Sequence, residues 1–344
     1  LDSGLYFDVS TVADYGRLAR AQTDEGEARI EAVAGKRNAA DFAIWRTTPA
    51  GERRQMEWDS PWGRGAPGWH LECSVMSGKL LGFPFDIHTG GIDHREIHHP
   101  NEIAQNQAFC GCGSLADPLA SGARMWLHNN FLIERGGKMS KSSGAFLRVP
   151  LLVERGYHPL AYRMLCLQAH YRSELEFSWE ALGAGLTRLK RLVMAVAALR
   201  ERAPEATWAA WTREATLAQD WGRLQPLLDR FDAALADDLA TPVALTALED
   251  VLAAKKVDPA LKLAAAAAMD SVLGLDLGTL TRGDLRQRPA AAAIDEAEIA
   301  TLLDRRRQAR AEKDFATSDA LRDELAAAGV EVMDGDPLGW EWRL

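Results

Sequence analysis

Gly136-Gly137-Lys138-Met139-Ser140-Lys141-Ser142-Ser143-Gly144 is the stretch on which the reading of this chain turns. Its glycines carry no Cβ and free the backbone for a loop. Lys138 and Lys141 place two compact positive charges where a polyphosphate can lie. Charge that develops on phosphate in a transition state is stabilised in this way. A solvated Lys/Ser loop would explain the composition equally simply. The literal string Lys138-Met139-Ser140-Lys141-Ser142 is far more specific than the composition. Upstream, residues 125–134 predict a strand that Gly136-Gly137 ends.

Outward from this loop the chain divides by pattern. Residues 5–9 predict a short strand and 12–34 a polar helix, after which Lys36-Arg37-Asn38 leads into residues 40–45. Residues 59–70 are rich in Gly and Pro and predict a loop. Residues 71–81 return to helical spacing, with Leu71, Val75, Leu80 and Leu81 on or near one face. A strand is predicted over 83–88, broken by Thr89-Gly90-Gly91. A helix is predicted from His99-Pro100 to about Phe109, because proline is tolerated in a first turn whose N–H has no partner. Short strands, glycine turns and helices in this order fit an α/β sheet with its site at the strand ends.

From residue 151 the pattern changes. Apolar positions recur at three and four residues through 151–168, 179–202, 214–236, 241–254 and 258–275, predicting an all-α region. Residues 278–293 lack periodicity and read as a linker. Helices near 295–313 and 315–328 follow, and the tail 330–344, with Trp340 and Trp342, predicts a small hairpin. The expected division is 1–150, 151–280, 281–294 and 295–344.

Cys73, His98 and Glu102 form the most informative set outside the loop. Residues four apart meet at the start of a helix, so the imidazole of His98 and the carboxylate of Glu102 can converge. Thiolate, imidazole and carboxylate together suit Zn²⁺, and three protein ligands leave a position for a substrate. Each piece also has a plainer reading. A lone buried cysteine is usually a small core residue, and His98-His99 with Glu102 can be a solvated helix start. Cys110-Gly111-Cys112 lacks the usual two-residue zinc spacing and reads as loop cysteines. Cys166 reads as core, and His88, His94, His128 and His170 as packing or hydrogen-bonding residues.

Composition narrows the function. The 344 residues suffice for two or three domains, and 47% hydrophobic with 26% charged residues is an ordinary globular balance. A net charge of −9 excludes nucleic-acid binding by overall charge. RNA contact would need local patches such as Arg305-Arg306-Arg307 with Arg310 and Lys313, although charged helix faces are usually only solvated. No apolar run approaches the roughly eighteen residues of a membrane helix; the Ala-rich 261–269 reads as a packed helix. Four cysteines make no disulfide framework and point to a reducing compartment. The first residue is Leu1, no signal peptide opens the chain, and residues 2–8 read like the middle of a domain. The chain is therefore expected to be part of a longer protein.

The string at 138–142 resembles the signature loop of class I aminoacyl-tRNA synthetases, and its company resembles the cysteinyl-tRNA synthetases. The matching segments include Leu5-Tyr6-Phe7-Asp8 with Tyr15-Gly16, Ala40-Asp41-Phe42-Ala43-Ile44-Trp45 and Trp58-Asp59-Ser60-Pro61-Trp62-Gly63. Pro67-Gly68-Trp69-His70-Leu71-Glu72-Cys73-Ser74, Asp86-Ile87-His88, His98-His99 with Asn101-Glu102, and His170-Tyr171-Arg172 continue it. Asp237-Asp238-Leu239 with Thr241-Pro242, and Arg307, Arg310, Lys313-Asp314 and Asp319, extend it to the C-terminal part.

The resemblance implies part of a Rossmann-like class I catalytic domain, then an all-α helical-bundle tRNA-binding domain and a small anticodon-binding region. It implies ATP-dependent activation of L-cysteine, with Mg²⁺ accompanying ATP, and transfer from cysteinyl-adenylate to tRNA(Cys). It implies that Cys73, His98 and Glu102 are three of four zinc ligands, the zinc holding the thiolate of the substrate cysteine. Lys141, with Lys138, would hold ATP phosphates. Trp69 would lie beside the amino acid, unless it is a core residue. Arg307, Arg310 and Lys313 would touch tRNA. A cytoplasmic monomer without membrane contact is the corresponding expectation. The fourth zinc ligand and the His-Ile-Gly-His-type motif would precede residue 1. Thr89 stands where the family has glycine, and Pro100 where it has glutamate. Two other readings remain: a cysteine ligase of mycothiol type, which would not need residues 295–344, and a non-catalytic tRNA-binding fragment.

Overall fold

The computed structural model describes residues 1–19, 35–110, 121–134, 137–138, 148–208 and 213–344. The chain forms two compact units, 1–131 and 132–344. Among the described residues no helix is long and apolar enough to cross a membrane.

In the first unit β1 (Gly4–Phe7), β2 (Phe42–Thr47) and β3 (Gly65–Pro67) make an antiparallel sheet in the order β1-β2-β3. Aromatic and β-branched residues in Phe42-Ala43-Ile44-Trp45-Arg46-Thr47 suit a half-buried strand. Gly68 donates its N–H to the Ile44 carbonyl at 2.7 Å and so launches α1 (Trp69–Leu81) from the edge of this sheet. A Cβ at Gly68 would fall 1.9 Å from the Ala43 carbonyl oxygen, which makes glycine obligatory at this crossing. Next come β4 (Phe85–Gly91), α2 (His98–Cys110) and β5 (Ala123–Asn129). β4 and β5 pair in parallel, with His88 opposite Trp126.

The second unit opens with β6 (Leu132–Glu134), β7 (Gly137–Lys138) and, further on, β8 (Leu175–Phe177), arranged β7-β6-β8. Its helices are α3 (Val149–Glu154), α4 (Pro159–Leu167), α5 (Trp179–Arg202), α6 (Arg213–Ala218), α7 (Gln225–Ala236), α8 (Thr241–Ala253) and α9 (Pro259–Leu273). Their boundaries are written in the sequence. Ser178 caps α5 by accepting from Ala181 N–H, and Asp258 caps α9 by accepting from Ala260 N–H. The main core runs through Leu182, Leu189, Leu224, Leu245, Leu248 and Leu263. A separate small core serves α10 (Glu296–Ala311), α11 (Phe315–Ala327) and the antiparallel hairpin β9 (Val330–Val332) with β10 (Trp340–Trp342). A capping box between Asp295 and Glu298 starts α10.

Several expectations need correction. Residues 12–19, the described part of the helix predicted over 12–34, are turns. Residues 20–34 lie outside the described residues. The loop predicted over 59–70 contains β3 and the first turn of α1. The strand predicted over 125–134 breaks at Asn130, where the side chain takes the Phe131 N–H at 2.8 Å and ends the ladder. The all-α region includes β8, and the run 214–236 is broken around residues 219–224. Residues 278–293 form no helix or strand, yet Leu280 and Leu285 are buried in the main core. The apolar residues of α1 do not face inward: Val75, Leu80 and Leu81 are exposed, and Ser74 is the buried residue. α1 approaches its neighbours through small residues instead. Gln105 donates to Ser74 Oγ at 3.1 Å, and a Cβ at Gly78 would lie 2.6 Å from the Phe83 ring.

Candidate metal centre

α2 is where this fold spends polar burial. His98 through Gln107 are all buried, including His98, His99, Asn101, Glu102, Gln105, Asn106 and Gln107. Burying polar groups is costly unless they are partnered. Such a concentration marks a site more clearly than an apolar periodicity marks a core.

Two of these side chains, His98 and Glu102, converge with Cys73 of α1. One ligand atom from each of Cys73, His98 and Glu102 lies within 4.8 Å of the others. α1 brings the sulfur, and one turn of α2 brings the nitrogen and oxygen. His98 Nε2 lies 2.6 Å from Glu102 Oε1. That approach is off the hydrogen-bonding direction, and Oε1 is buried without a hydrogen-bond partner. Glu102 Oε2 accepts from His88 Nε2 at 2.6 Å. Among the described residues no lysine or arginine pairs with Glu102.

Burial works against the Glu102 charge, but the hydrogen bond from His88 outweighs it and holds the carboxyl below the ordinary glutamate range. Burial, aided by the Glu102 charge, pushes the Cys73 thiol up to about 11. A fully buried carboxylate with one orphaned oxygen, next to a thiol that cannot ionise unaided, is the electrostatic profile of a cation site. The donor set fits Zn²⁺.

The surrounding histidines orient the donors. His70 Nδ1 and His98 Nδ1 are 2.7 Å apart, so one of them carries the proton. Burial brings His70 down to about 4, leaving it neutral and able to accept near pH 7. With the proton on His98 Nδ1, the His98 Nε2 lone pair faces Glu102 and Cys73. His99 Nδ1 and His128 Nε2 are 2.8 Å apart, and burial holds His99 at about 3. Trp69 is more than half exposed and lays its ring 4.1 Å from that of His98. A second triplet, His88, His99 and Glu102, also brings its ligand atoms within 4.8 Å. It has no sulfur, and its His88 nitrogen is engaged with Glu102.

Sequence reasoning gave His70 no role and His88 only a packing or hydrogen-bonding one with no partner named, although both lie in segments that carry the family resemblance. Their partners are 28 and 14 residues away along the chain, and no spacing rule connects them. His88 stands in the middle of the parallel strand β4, opposite Trp126. Lys138 is in β7, but its side chain and all of Met139, Ser140, Lys141 and Ser142 lie outside the described residues, as do Gly111 and Cys112. Arg307, Arg310 and Lys313 lie on or just after α10. Arg307 pairs with Asp304, and Arg310 with Asp334 at 2.8 Å. Arg306 turns inward instead and meets both oxygens of Asp334 at 2.7 and 2.8 Å.

Comparison with known proteins bears on this arrangement. Residues 2–186 match the model of the class I (C) tRNA synthetase catalytic domain. Residues 296–343 match the model of the cysteinyl-tRNA ligase anticodon-binding domain. A cysteine–tRNA ligase of Novosphingobium aromaticivorans is 74% identical over all of this chain and 68% of its own length. One of Zymomonas mobilis is 54% identical over all of this chain and 70% of its own. Cysteine–tRNA ligase 1 of Burkholderia lata is 45% identical over 97% of this chain and 64% of its own. The chain thus spans about two thirds of the length of these curated relatives.

Proposed function

The chain belongs to the cysteine–tRNA ligase family, and from that premise we propose that Cys73, His98 and Glu102 build a zinc site that recognises the side chain of L-cysteine. The observation that carries this reading is the convergence of one thiol, one imidazole and one orphaned carboxylate oxygen on a single buried point. A bound Zn²⁺ would supply a soft Lewis acid that prefers thiolate to hydroxyl, a discrimination between cysteine and serine that shape alone cannot make.

The chain's own residues do the rest. The hydrogen bond between His70 and His98 keeps the His98 Nε2 lone pair free for the metal. His88 occupies Glu102 Oε2 and leaves Oε1 as the donor. Cys73 must give up its proton, which burial and the Glu102 charge resist. Trp69, partly open to solvent over His98, is the wall against which the amino acid would lie. Lys141, with Lys138, would hold the phosphates of ATP, supplied with Mg²⁺, during formation of cysteinyl-adenylate. Residues 1–150 would carry this chemistry, and 151–280 would contact the tRNA(Cys) body. Residues 281–294 would connect to 295–344, where Arg307, Arg310 and Lys313 would meet the RNA near the anticodon. The match over 296–343 supports tRNA, rather than an amino sugar, as the acceptor.

Cysteine-dependent ATP–pyrophosphate exchange by the full-length protein, with serine as control, tests the reaction. Zinc analysis of Cys73→Ser tests the site. The variant should lose most of its metal, because zinc holds a thiolate better than a hydroxyl; unchanged stoichiometry would remove Cys73 from the ligand set.

A further inference from the structure

Within unit 132–344 the two apolar cores share no buried residue. The intervening segment is anchored at both ends. Leu280 and Leu285 enter the helical core, whereas Ala292 and Ile294 pack on the C-terminal core. Between these anchors the joint is largely ionic. Glu341, on β10, receives Lys190 of α5 on one oxygen and Arg282 Nε on the other, the latter at 3.1 Å. Arg282 also donates to Asp336 at 2.6 Å. Arg286 lies 3.8 Å over the Trp340 ring and donates to the Trp340 carbonyl at 3.3 Å.

The side chains of Lys190, Arg282 and Glu341 are only 18, 20 and 14% exposed. Two cations therefore share one largely buried carboxylate. Removing that charge leaves Lys190 without its partner beside Arg282, which keeps Asp336. Neither core contains Glu341, so the joint can open while both cores stay folded. A polar joint between two cores is the kind that permits movement.

We infer that Glu341 is the bolt of an ionic latch that fixes the C-terminal region on the helical bundle in its RNA-reading orientation. The inference rests on the tRNA reading given above. A chain that grips one RNA at two places makes the second contact intramolecularly, and the gain depends on geometry. A C-terminal region that swings freely keeps its own RNA contacts but loses effective concentration. The KM for tRNA then rises, and formation of the adenylate does not sense the change. Glu341, Lys190 and Arg282 are positioning residues in this scheme.

The latch is tested first on the unmodified chain, without RNA, by hydrogen exchange at about 0.05 M and about 0.5 M salt, where screening differs strongly. The amide of Ala290, which lies between the anchors and donates to the Glu154 carbonyl at 2.7 Å, should exchange several-fold faster in high salt while those of α8 and α9 hold steady. Equal rates at both salts overturn the latch. Glu341→Gln should open the same segment at low salt, and adding Lys190→Gln should close it again by removing the opposed charge; no rescue counts against the charge mechanism. If Glu341→Gln does not fold, the salt comparison still decides. In the full-length protein, Glu341→Gln should raise the tRNA KM about 3- to 10-fold. An open latch with an unchanged tRNA KM overturns the positioning role. Absence of cysteine-dependent exchange of pyrophosphate in the unmodified full-length protein is a failure of the family reading instead, and the salt comparison is unaffected by it.

Discussion

Glu102 shows what single residues contribute here. One of its oxygens is satisfied by His88, and the other is left bare at the point where Cys73 and His98 meet it. His70 acts at one remove, through His98. Replacing His70 by phenylalanine keeps a ring against Phe42 and Trp69 but deletes the bond that sets the His98 tautomer. Zinc affinity should fall about 10- to 100-fold with the three ligands intact. Competition against a chromogenic chelator measures this, and an unchanged affinity would make His70 a packing residue only. The grouping of Cys73, His98 and Glu102 was legible chiefly through the family resemblance, because a lone cysteine, and a histidine with a glutamate four residues on, each have plainer uses. The partners of those ligands were not legible, because imidazole–imidazole and imidazole–carboxylate bonds join segments with no common periodicity.

At the scale of elements, the positions of the helices were legible and the faces they bury were not. α1 falls where helical spacing placed it, but its contacts run through Ser74 and Gly78. Apolar periodicity assumes that large side chains define the inward face, and a helix serving a polar site breaks that assumption. Gly78→Ala should cost about 1–3 kcal/mol, because its methyl group must displace the Phe83 ring. Urea denaturation measures the loss, and Phe83→Leu in the same chain should recover part of it. The α10–hairpin contact offers a pH test. Hydrogen bonding from Arg306 holds Asp334 at about 2, below the ordinary aspartate range. A lowered carboxylate stabilises the fold above its unfolded value, and the contribution fades as pH falls through the folded value. Asp334→Asn should therefore lower the melting temperature near pH 7, and the gap from the parent should shrink toward pH 2. Because Asp334 is half exposed, the gap should be small and sensitive to salt. A gap independent of pH would assign the effect to packing.

For the whole molecule, the outline was legible where composition changes: an α/β opening, a helical middle and a compact C-terminal piece. The division into units 1–131 and 132–344 was less so. The run at 125–134 looked like one strand, and the break in it at Asn130 has no signal in the apolar pattern. The candidate metal belongs wholly to the first unit. Its removal by chelation should accelerate hydrogen exchange in α1 and α2, whose buried polar groups lose their organising charge. Exchange in α8 and α9, deep in the leucine-rich core of the second unit, should not change. Uniform acceleration would mean that the metal stabilises the molecule through some other route.

The exposed indole of Trp69, tilted over the His98 ring, gives the site an optical reporter. Its emission depends on what His98 holds and on whether solvent reaches the ring. Metal loading and amino-acid arrival should each shift its colour and brightness. With eleven tryptophans in the chain the signal must be read as a difference against Trp69→Phe. Occupancy of the pocket can then be followed in a stopped-flow cuvette, in real time and without a label.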